Sequence, residues 1–311
     1  MHVKGRRHSK GAGTGPQAGM TMVLVAVLAL ALSGCSSAGP SGTPDASDTG
    51  SATGTPAAGT APELSQPVGR MPVGDLPGWR QVFSEDFTEG NVAVGGFPGS
   101  LYGAKWSVNY VDGTPDTAGQ QNGGRSGYYP SKVLSVTDGV LDMYLHTEKG
   151  VSMGAAPAPK LGPANDRPYD SLLYGRYSVR FRSEALQGFK TAWLLWPDSG
   201  VWPRDGEIDY PEGDLSRAFY GALHQAGSDR NIAHLIQSGA RFTSWHTATT
   251  EWGPGRVEFF LDGVSIGAST VGVPDKPMHY ILQTESCLTG CPAPGTAGHL
   301  QVDWVAIWAR A

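Results

Sequence analysis

The chain has 311 residues, of which 16% are charged, and its formal net charge is −5 at pH 7. No basic cluster follows the amino-terminal residues, so the sequence argues against a nucleic-acid-binding protein. Its 44 glycines, 23 prolines, 9 tryptophans and 11 tyrosines indicate an all-β, turn-rich, exported domain rather than a helical one.

Residues 1–34 are predicted to be a lipoprotein signal peptide. Basic residues precede an apolar run over residues 20–32, which is shorter than the roughly 20 residues that cross a bilayer. The run ends in LSGC, which resembles a bacterial lipobox whose cysteine becomes the lipidated first residue. We therefore expect Cys35 to anchor the protein to the extracellular face of the cell membrane. An ordinary signal peptide with secretion is the alternative, and the export route, general secretory or twin-arginine, stays open.

Residues 35–72 are predicted to be the lipid anchor and a flexible tether that leads to the folded domain. Ser, Gly, Thr, Pro and Ala dominate this segment. Such a composition cannot bury enough surface to offset the entropy of ordering the chain. The remaining residues, 73–311, fall within the usual size of a single all-β domain.

Seven strand-like runs follow one another in this domain. In YGRYSVRF, at 174–181, polar and apolar residues alternate as they do in a strand with one buried face. Thr-Asp-Gly and Leu-Asp-Gly triplets supply hairpin turns. The pattern predicts two antiparallel sheets packed face to face, a β-sandwich. The runs are residues 79–87, 133–145, 174–183, 190–197, 256–267, 279–286 and 301–310.

The run DGEIDYPEG, at 205–213, holds four carboxylates in nine residues. In a regular strand Glu207 and Asp209 share one face, whereas Glu212 lies at an odd spacing and points to the other. A β-bulge at Tyr210 and Pro211 would return Glu212 to the first face, and proline is tolerated at bulges. The sequence therefore predicts three carboxyl groups on one face of a sheet.

Three aligned carboxylates repel one another, so the cluster indicates either a hard metal cation or glycoside hydrolysis by a pair of acids. A solvated acidic loop is the alternative. The apolar run TAWLLW before the acids and the nearby Trp193, Trp196 and Trp202 favour a sugar-binding cleft with aromatic platforms. Each tryptophan taken alone is more typical of a core.

The hexapeptide EIDYPE, at 207–212, resembles the E-x-D-x-x-E signature of glycoside hydrolase family 16 in its bulged, laminarinase-like form. Other landmarks resemble that family in the same order, so the resemblance covers residues 79–310. They are YGRYSVRF at 174–181, WPxxGE at 202–207, GxLH at 221–224, WHT at 245–247, EWxPxR at 251–256, LDG at 261–263 and VDWV at 302–305.

The resemblance implies a concanavalin A-like jelly roll with a concave glycan-binding cleft and a retaining mechanism. Glu207 would be the nucleophile, Glu212 the general acid/base, and Asp209 the residue that hydrogen-bonds the nucleophile. We expect anionic neighbours to keep Glu212 protonated, as an acid requires. The implied reaction is hydrolysis of β-1,3-glucan or mixed-linkage β-1,3-1,4-glucan. A galactan or a cell-envelope polysaccharide is the alternative substrate.

Substrate contacts are expected from aromatic and polar residues on the cleft side. Trp202 would stack on a sugar near the cleavage point, and the other candidates are Trp196, His224, Gln283 and Glu285. Gln283 and Glu285 lie in a predicted strand that ends in QTES. This ending departs from the family's more usual Asn- or Gly-containing ending, so the natural glycan stays open.

Cys287 and Cys291 remain once Cys35 is lipidated, and we expect them to form a disulfide outside the cytoplasm. Two unpaired thiols are the alternative. The implied reaction requires no cofactor. The family includes calcium-binding members, so a structural calcium ion is considered, with Glu85 and Asp303 as candidate ligands. Both are equally typical of surface acids.

Two further classes stay open. A non-catalytic glycan-binding lipoprotein would share the fold but would usually lack one of the three acids. A transglycosylase would keep all three and would exclude water from the acceptor side. The protein is expected to act as a monomer, and the sequence leaves endo or exo action undecided.

Overall fold

The computed structural model describes residues 69–161 and 171–311. The predicted signal peptide, Cys35 and the predicted tether up to residue 68 lie outside the described residues. Within the described ranges, no helix is long and apolar enough to cross a membrane.

The last residues of the predicted tether contact the folded domain. Met71 packs against the buried cluster formed by Trp304, Ala306 and Trp308. The indole N–H of Trp304 donates a hydrogen bond to the carbonyl of Gly69 at 3.2 Å. Gly69 and Met71, which the sequence analysis placed in the tether, therefore contact the folded domain.

The described part of the chain is almost entirely β, with short helices in its first half. The helices are α1 Gly99–Tyr102, α2 Gly119–Asn122 and α3 Pro130–Val133. The strands are β1 Trp79–Glu85, β2 Trp106–Ser107, β3 Thr114–Pro115, β4 Ser126–Tyr128, β5 Leu134–Thr137, β6 Val140–Glu148, β7 Val151–Gly154, β8 Ala158–Pro159, β9 Ser171–Leu172, β10 Gly175–Ser183, β11 Phe189–Pro197, β12 Glu207–Asp214, β13 Ala218–His224, β14 Ala233–Arg241, β15 His246–Gly253, β16 Arg256–Leu261, β17 Val264–Ser269, β18 Met278–Ser286 and β19 Gly298–Arg310. All seven predicted runs fall on strands.

Two sheets form the body of the domain. The larger has the order β17-β16-β15-β10-β19-β6-β7-β4-β3, with β1 on β19 and β5 on β6 off this path. The smaller has the order β14-β13-β12-β11-β18-β9. Neighbouring strands are antiparallel except β4 and β7, which are parallel. The predicted antiparallel β-sandwich is confirmed.

Alternation along β11 shows how the smaller sheet divides its two faces. Trp193 and Leu195 are buried in the core between the sheets, and the Trp193 ring meets that of Phe181 on β10 at a centroid distance of 5.3 Å. Ala192 and Leu194 belong to a separate cluster. They therefore lie on the face turned away from the inter-sheet core, which we name the acid face because it also carries the acidic residues described below.

Leu195→Ala is expected to lower the free energy of unfolding by about 2–5 kcal/mol, because it removes fully buried methyl groups and leaves a cavity. Urea denaturation followed by tryptophan fluorescence measures the change. Leu235→Ala is the matched control, since Leu235 is 48% exposed and its truncation should cost about 0.5 kcal/mol or less. Equal losses in the two variants would contradict the assignment of Leu195 to the core.

Candidate active site

Strand β12 carries the acidic residues between β11 and β13, and its register is irregular. Asp209 lies opposite Leu194 of β11, and Glu212 lies opposite Ala192, so three steps along β12 match two along β11. The register against β13 shifts over the same stretch. One extra residue is therefore inserted in β12, which confirms the predicted β-bulge.

The bulge brings the three carboxyl groups to one face. Ile208 and Tyr210 point into the inter-sheet core. Glu207, Asp209 and Glu212 consequently lie together on the acid face, and we name these three residues the acid row. A glycine at 206 precedes the row with φ of 77°, and a Cβ there would lie 2.8 Å from the His224 carbonyl oxygen.

The acid row is buried, and its neighbours carry or can carry positive charge. Relative exposure is 8% for Glu207, 2% for Asp209 and 7% for Glu212. The Nζ of Lys190 lies 2.6 Å from Oε1 of Glu212. The Nε2 of His224 lies 3.5 Å from Oδ2 of Asp209 and 4.0 Å from Oε2 of Glu207.

Burial and mutual repulsion favour protonation within the row. Burial, followed by the charge of Glu212, raises the pKa of Glu207 to about 8, although Lys190 opposes the shift. Burial and the charges of the two glutamates raise the pKa of Asp209 well above its ordinary value, against His224 and Lys190. At neutral pH the row therefore holds at least one proton.

Lys190 adds a charge that the sequence analysis did not anticipate. Burial is the largest single influence on the pKa of this ammonium and lowers it, but the charges of Glu212, Tyr220 and Glu285 and the hydrogen bond to Glu212 together make the net shift upward. Lys190 stays charged as a result, and its ammonium contacts the Glu212 carboxyl group directly. The expectation that anionic neighbours keep Glu212 protonated stays a prediction, and it did not take this ammonium into account.

Three of the predicted binding residues gather at the Glu207 end of the row. His224 lies opposite Glu207 on β13, and its Nδ1 donates a hydrogen bond to the side-chain oxygen of Asn231 at 2.6 Å. The ring centroids of Trp202 and His224 are 6.0 Å apart. The rings of Trp196 and Trp202 are nearly parallel, with centroids 6.5 Å apart.

The two predicted residues of β18 differ in their accessibility. Gln283 lies on the acid face opposite Ala192 and is partly exposed. Glu285 is only 2% exposed, and its Oε1 accepts hydrogen bonds from the backbone and side chain of Thr117 and from the Tyr128 hydroxyl. Glu285 is thus committed to internal contacts, which corrects the expectation that it contacts the substrate.

Asp116 and Glu285 are two further buried acidic residues, separate from the acid row. The Asp116 carboxylate accepts hydrogen bonds from the backbone N–H groups of Gly119 and Ser286 and from the Ser126 hydroxyl. Burial, followed by the charge of Glu285, raises the pKa of Asp116 from 3.8 to about 6. The pair fastens the segment that contains β3, α2 and β4 to β18.

Asp116→Asn is expected to flatten the pH dependence of stability between about pH 4 and pH 6. In this window folded Asp116 keeps a proton that the unfolded chain has released, so the wild-type free energy of unfolding falls as pH rises. A shift of about two pKa units corresponds to about 3 kcal/mol. Urea denaturation across this pH range measures the slope. The exposed Asp275→Asn is the control, and parallel curves for Asp116→Asn and wild type would contradict the prediction.

Cys287 and Cys291 form a disulfide, as predicted. The bond closes a short loop directly after β18. The backbone N–H of Cys287 also donates to the carbonyl of Gly188, just before β11 begins.

The two calcium candidates are each paired with a cation. Glu85 accepts backbone hydrogen bonds and lies 3.2 Å from the Nζ of Lys105. Asp303 forms an ion pair with Arg180 at 2.5 Å. In the described ranges, the one group of three His, Cys, Asp or Glu side chains spaced to hold a metal is Glu207, Asp209 and His224. The structure therefore does not bring Glu85 and Asp303 into a common metal-binding group.

Comparison with known proteins supports the assignment of the fold. Residues 159–306, just under half of the chain, match the profile of the family described as Glycosyl hydrolases family 16. No curated protein matches the sequence. Solved structures with the same fold include two glucanases and a protein named LamAcat.

These three structures are similar in fold and distant in sequence. SCLam, a non-specific endo-β-1,3(4)-glucanase, has a TM-score of 0.57 at 16% identity, over 78% of this chain and 95% of that chain. LamAcat from Zobellia galactanivorans has a TM-score of 0.55 at 20% identity, over 73% and 97%. The endo-β-1,3-glucanase from Pyrococcus furiosus has a TM-score of 0.55 at 20% identity, over 75% and 95%. The predicted jelly-roll architecture agrees with this likeness.

The family match and the acid row on β12 fall in the same part of the chain. Residues 159–306 match Glycosyl hydrolases family 16, and this match supports a glycosidase that hydrolyses glycosidic bonds.

Proposed function

We propose that the protein is a retaining glycosidase that cleaves β-linked glucan, with β-1,3-glucan or mixed-linkage β-1,3-1,4-glucan as substrate. The observation that carries the proposal is the acid row, which a β-bulge places on one face beside Trp196 and Trp202. Aromatic rings of this kind are suited to stacking on sugar rings, and two carboxyl groups are what hydrolysis by double displacement requires.

In the proposed mechanism Glu207 attacks the anomeric carbon while Glu212 donates its proton to the leaving oxygen. This attack breaks the glycosidic bond and forms the covalent glycosyl-enzyme. Glu212, now ionised, then takes a proton from water, which attacks the same carbon and releases Glu207 as a carboxylate. Protonated Asp209 lies between the two and donates a hydrogen bond that stabilises the Glu207 carboxylate. Its raised pKa supports this role.

The proton on Glu212 is the demanding part of this cycle. The Lys190 ammonium contacts Glu212 in the free enzyme, whereas the first step requires a proton on that carboxyl group. Substrate binding must therefore redistribute charge along the row, with the proton moving to Glu212 as the leaving oxygen approaches. The same ammonium then stabilises the Glu212 carboxylate that each glycosylation step leaves behind.

β-Glucan is proposed as the substrate because the structural neighbours include an endo-β-1,3(4)-glucanase and an endo-β-1,3-glucanase. A transglycosylase of the same fold would use the same acids, and product chain lengths separate the two. A glycan-binding protein without activity is disfavoured, since all three acids are present on one face.

The membrane location is a separate proposal, supported by the LSGC sequence that ends at Cys35. We propose that acylated Cys35 holds the enzyme at the extracellular face of the membrane. Phase partitioning of wild type and Cys35→Ser from cell extracts tests this location. Membrane association that persists in the Cys35→Ser form would overturn it.

The function is tested by sugar release from laminarin, lichenan, agarose and galactans, with Glu207→Gln measured beside wild type. Release of oligosaccharides from laminarin or lichenan by wild type alone supports the proposal. NMR of the first-formed product should show retained anomeric configuration. Release from agarose or galactan alone would overturn the substrate, and an inverted first product would overturn the mechanism.

A further inference from the structure

Two members of the acid row and His224 form a compact group of potential metal ligands. One carboxylate oxygen each from Glu207 and Asp209 and one ring nitrogen of His224 lie within 4.8 Å of one another. The three residues are only 8%, 2% and 9% exposed. The group therefore presents two carboxylate oxygens and one imidazole nitrogen to a single small, shielded volume.

Oδ2 of Asp209 is the atom of this group that has no hydrogen-bond donor. It is buried, and no side chain or backbone N–H in the described ranges donates a hydrogen bond to it. The His224 Nε2 lies 3.5 Å away, which is longer than an ordinary hydrogen bond. A buried carboxylate oxygen without a donor is costly, because it has lost its hydration and gained no partner. A cation held between these side chains would supply that partner.

The His224 ring is oriented so that Nε2 can act as a ligand. Its Nδ1 donates a hydrogen bond to Oδ1 of Asn231 at 2.6 Å. With the proton on Nδ1, the neutral ring carries its lone pair on Nε2, which faces Asp209 and Glu207. Histidines that bind metals almost always donate their other N–H to an oxygen in this way. Asn231 thus fixes the tautomer that metal binding requires.

The ligand atoms and their spacing favour one class of divalent cation. Imidazole nitrogen suits zinc and its neighbours, whereas Ca²⁺ and Mg²⁺ prefer a shell made of oxygen atoms. Tetrahedral Zn²⁺ holds its nitrogen and oxygen ligands at about 2.0–2.2 Å, which places them about 3.3–3.6 Å apart. The His224 Nε2 is 3.5 Å from the Asp209 oxygen and 4.0 Å from the Glu207 oxygen. A movement of about half an ångström by Glu207 would therefore complete a set of three ligands.

We propose that Glu207, Asp209 and His224 form a binding site for Zn²⁺, with Asn231 orienting the histidine. Two ionised carboxylates and a neutral imidazole balance the charge of the cation. The effect on catalysis rests on the proposed function, because a Glu207 carboxylate that is bound to Zn²⁺ cannot attack the anomeric carbon. Zn²⁺ is then a reversible inhibitor that competes with glucan.

Equilibrium dialysis of the full-length, untagged protein against Zn²⁺, followed by metal analysis, tests the site without an activity assay. Asn231→Ala should weaken the tightest Zn²⁺ binding about 10–100-fold, because the hydrogen bond that orients His224 is lost. Asn231 is exposed, so this variant should fold. Asn231→Asp keeps an acceptor oxygen and should bind Zn²⁺ at least as well as wild type does.

A second pair of variants tests the ligand itself. His224→Gln should weaken Zn²⁺ binding at least as much as Asn231→Ala does. His246→Gln is the matched control, because it alters a histidine that pairs with Asp262 outside the acid face, and its tightest Zn²⁺ binding should equal that of wild type. Equal Zn²⁺ binding by wild type, Asn231→Ala and a folded His224→Gln would overturn the site. Tighter binding of Ca²⁺ than of Zn²⁺ would overturn the choice of metal.

Inhibition separates the site from the function on which its effect rests. Sugar release from laminarin by wild type should fall as Zn²⁺ is added, recover with EDTA, and be protected by excess laminarin. Zn²⁺ that binds through His224 without slowing sugar release would overturn the inhibition. Zn²⁺ that binds through His224 in a protein that releases no sugar from any glycan would overturn the proposed function and leave the metal site supported.

Discussion

Glu212→Ala is expected to hydrolyse the proposed β-glucan substrate about 10²–10⁴-fold more slowly than wild type, because it lacks the proposed general acid that protonates the leaving oxygen. On an aryl β-glucoside with an acidic phenol, which departs without protonation, the first step should be far less affected. The glycosyl-enzyme should then accumulate, since the same residue activates water. Stopped-flow release of the phenol should show a burst, and added azide should restore turnover.

Glu207→Ala is the informative counterpart of this variant. It lacks the proposed nucleophile, so we expect both the polysaccharide and the aryl glucoside to react slowly. Each should react no faster than the polysaccharide does with Glu212→Ala. Glu258→Gln on β16 of the other sheet is the control, and its rates should match wild type. Equal losses on both substrates for Glu212→Ala would contradict its assignment as the general acid.

Lys190→Met is expected to lower kcat/KM at neutral pH by about tenfold or more. The pH profile of kcat/KM reports ionisations of the free enzyme, and the nucleophile must be a carboxylate. Lys190 opposes the upward shift of the Glu207 pKa, so its removal should move that pKa further above about 8. Below the pKa, each unit removes tenfold of the active form.

The measurement is a kcat/KM profile from about pH 5 to pH 10. Its acidic limb should move to higher pH in Lys190→Met and stay near the wild-type position in Lys190→Arg, which keeps the charge. A urea transition confirms that both variants are folded, since Lys190 is partly buried beside Glu212. An unshifted limb in a folded Met variant would show that the ammonium does not control the acid row.

The acid row was predictable because its geometry depends on local residue counts. Even spacing placed Glu207 and Asp209 together, and the proline indicated where one residue would be inserted. The registers on both sides of β12 confirm this insertion. The positions of these carboxyl groups can therefore be predicted without knowing which strands are neighbours.

Lys190 was not predictable in the same way. It lies 22 positions before Glu212, and only the pairing of β11 with β12 brings the two side chains to 2.6 Å. A lysine at the start of the apolar run KTAWLLW was the available signal, since a charged residue in such a strand needs a partner. The sequence did not say which acid that partner would be.

Glu285 shows the opposite error. Its strand and its face were predicted, and the side chain does lie on the acid face. Its partners Thr117 and Tyr128 are 168 and 157 positions away, in short strands and turns that have no strong periodic pattern. Periodicity identifies which face a residue is on, but it does not identify what covers that face.

The bulge in β12 makes the site depend on chain length as well as on residue identity. Deleting one residue between Asp209 and Glu212 would leave every carboxylate in the sequence, but it would turn Glu212 toward the rings of Phe219 and Phe259 in the interior. The same composition would then place an acid in a hydrocarbon-like environment and leave the opposite surface with two carboxyls. A redesign of this enzyme can exchange the residues at the bulge, but it cannot change their number.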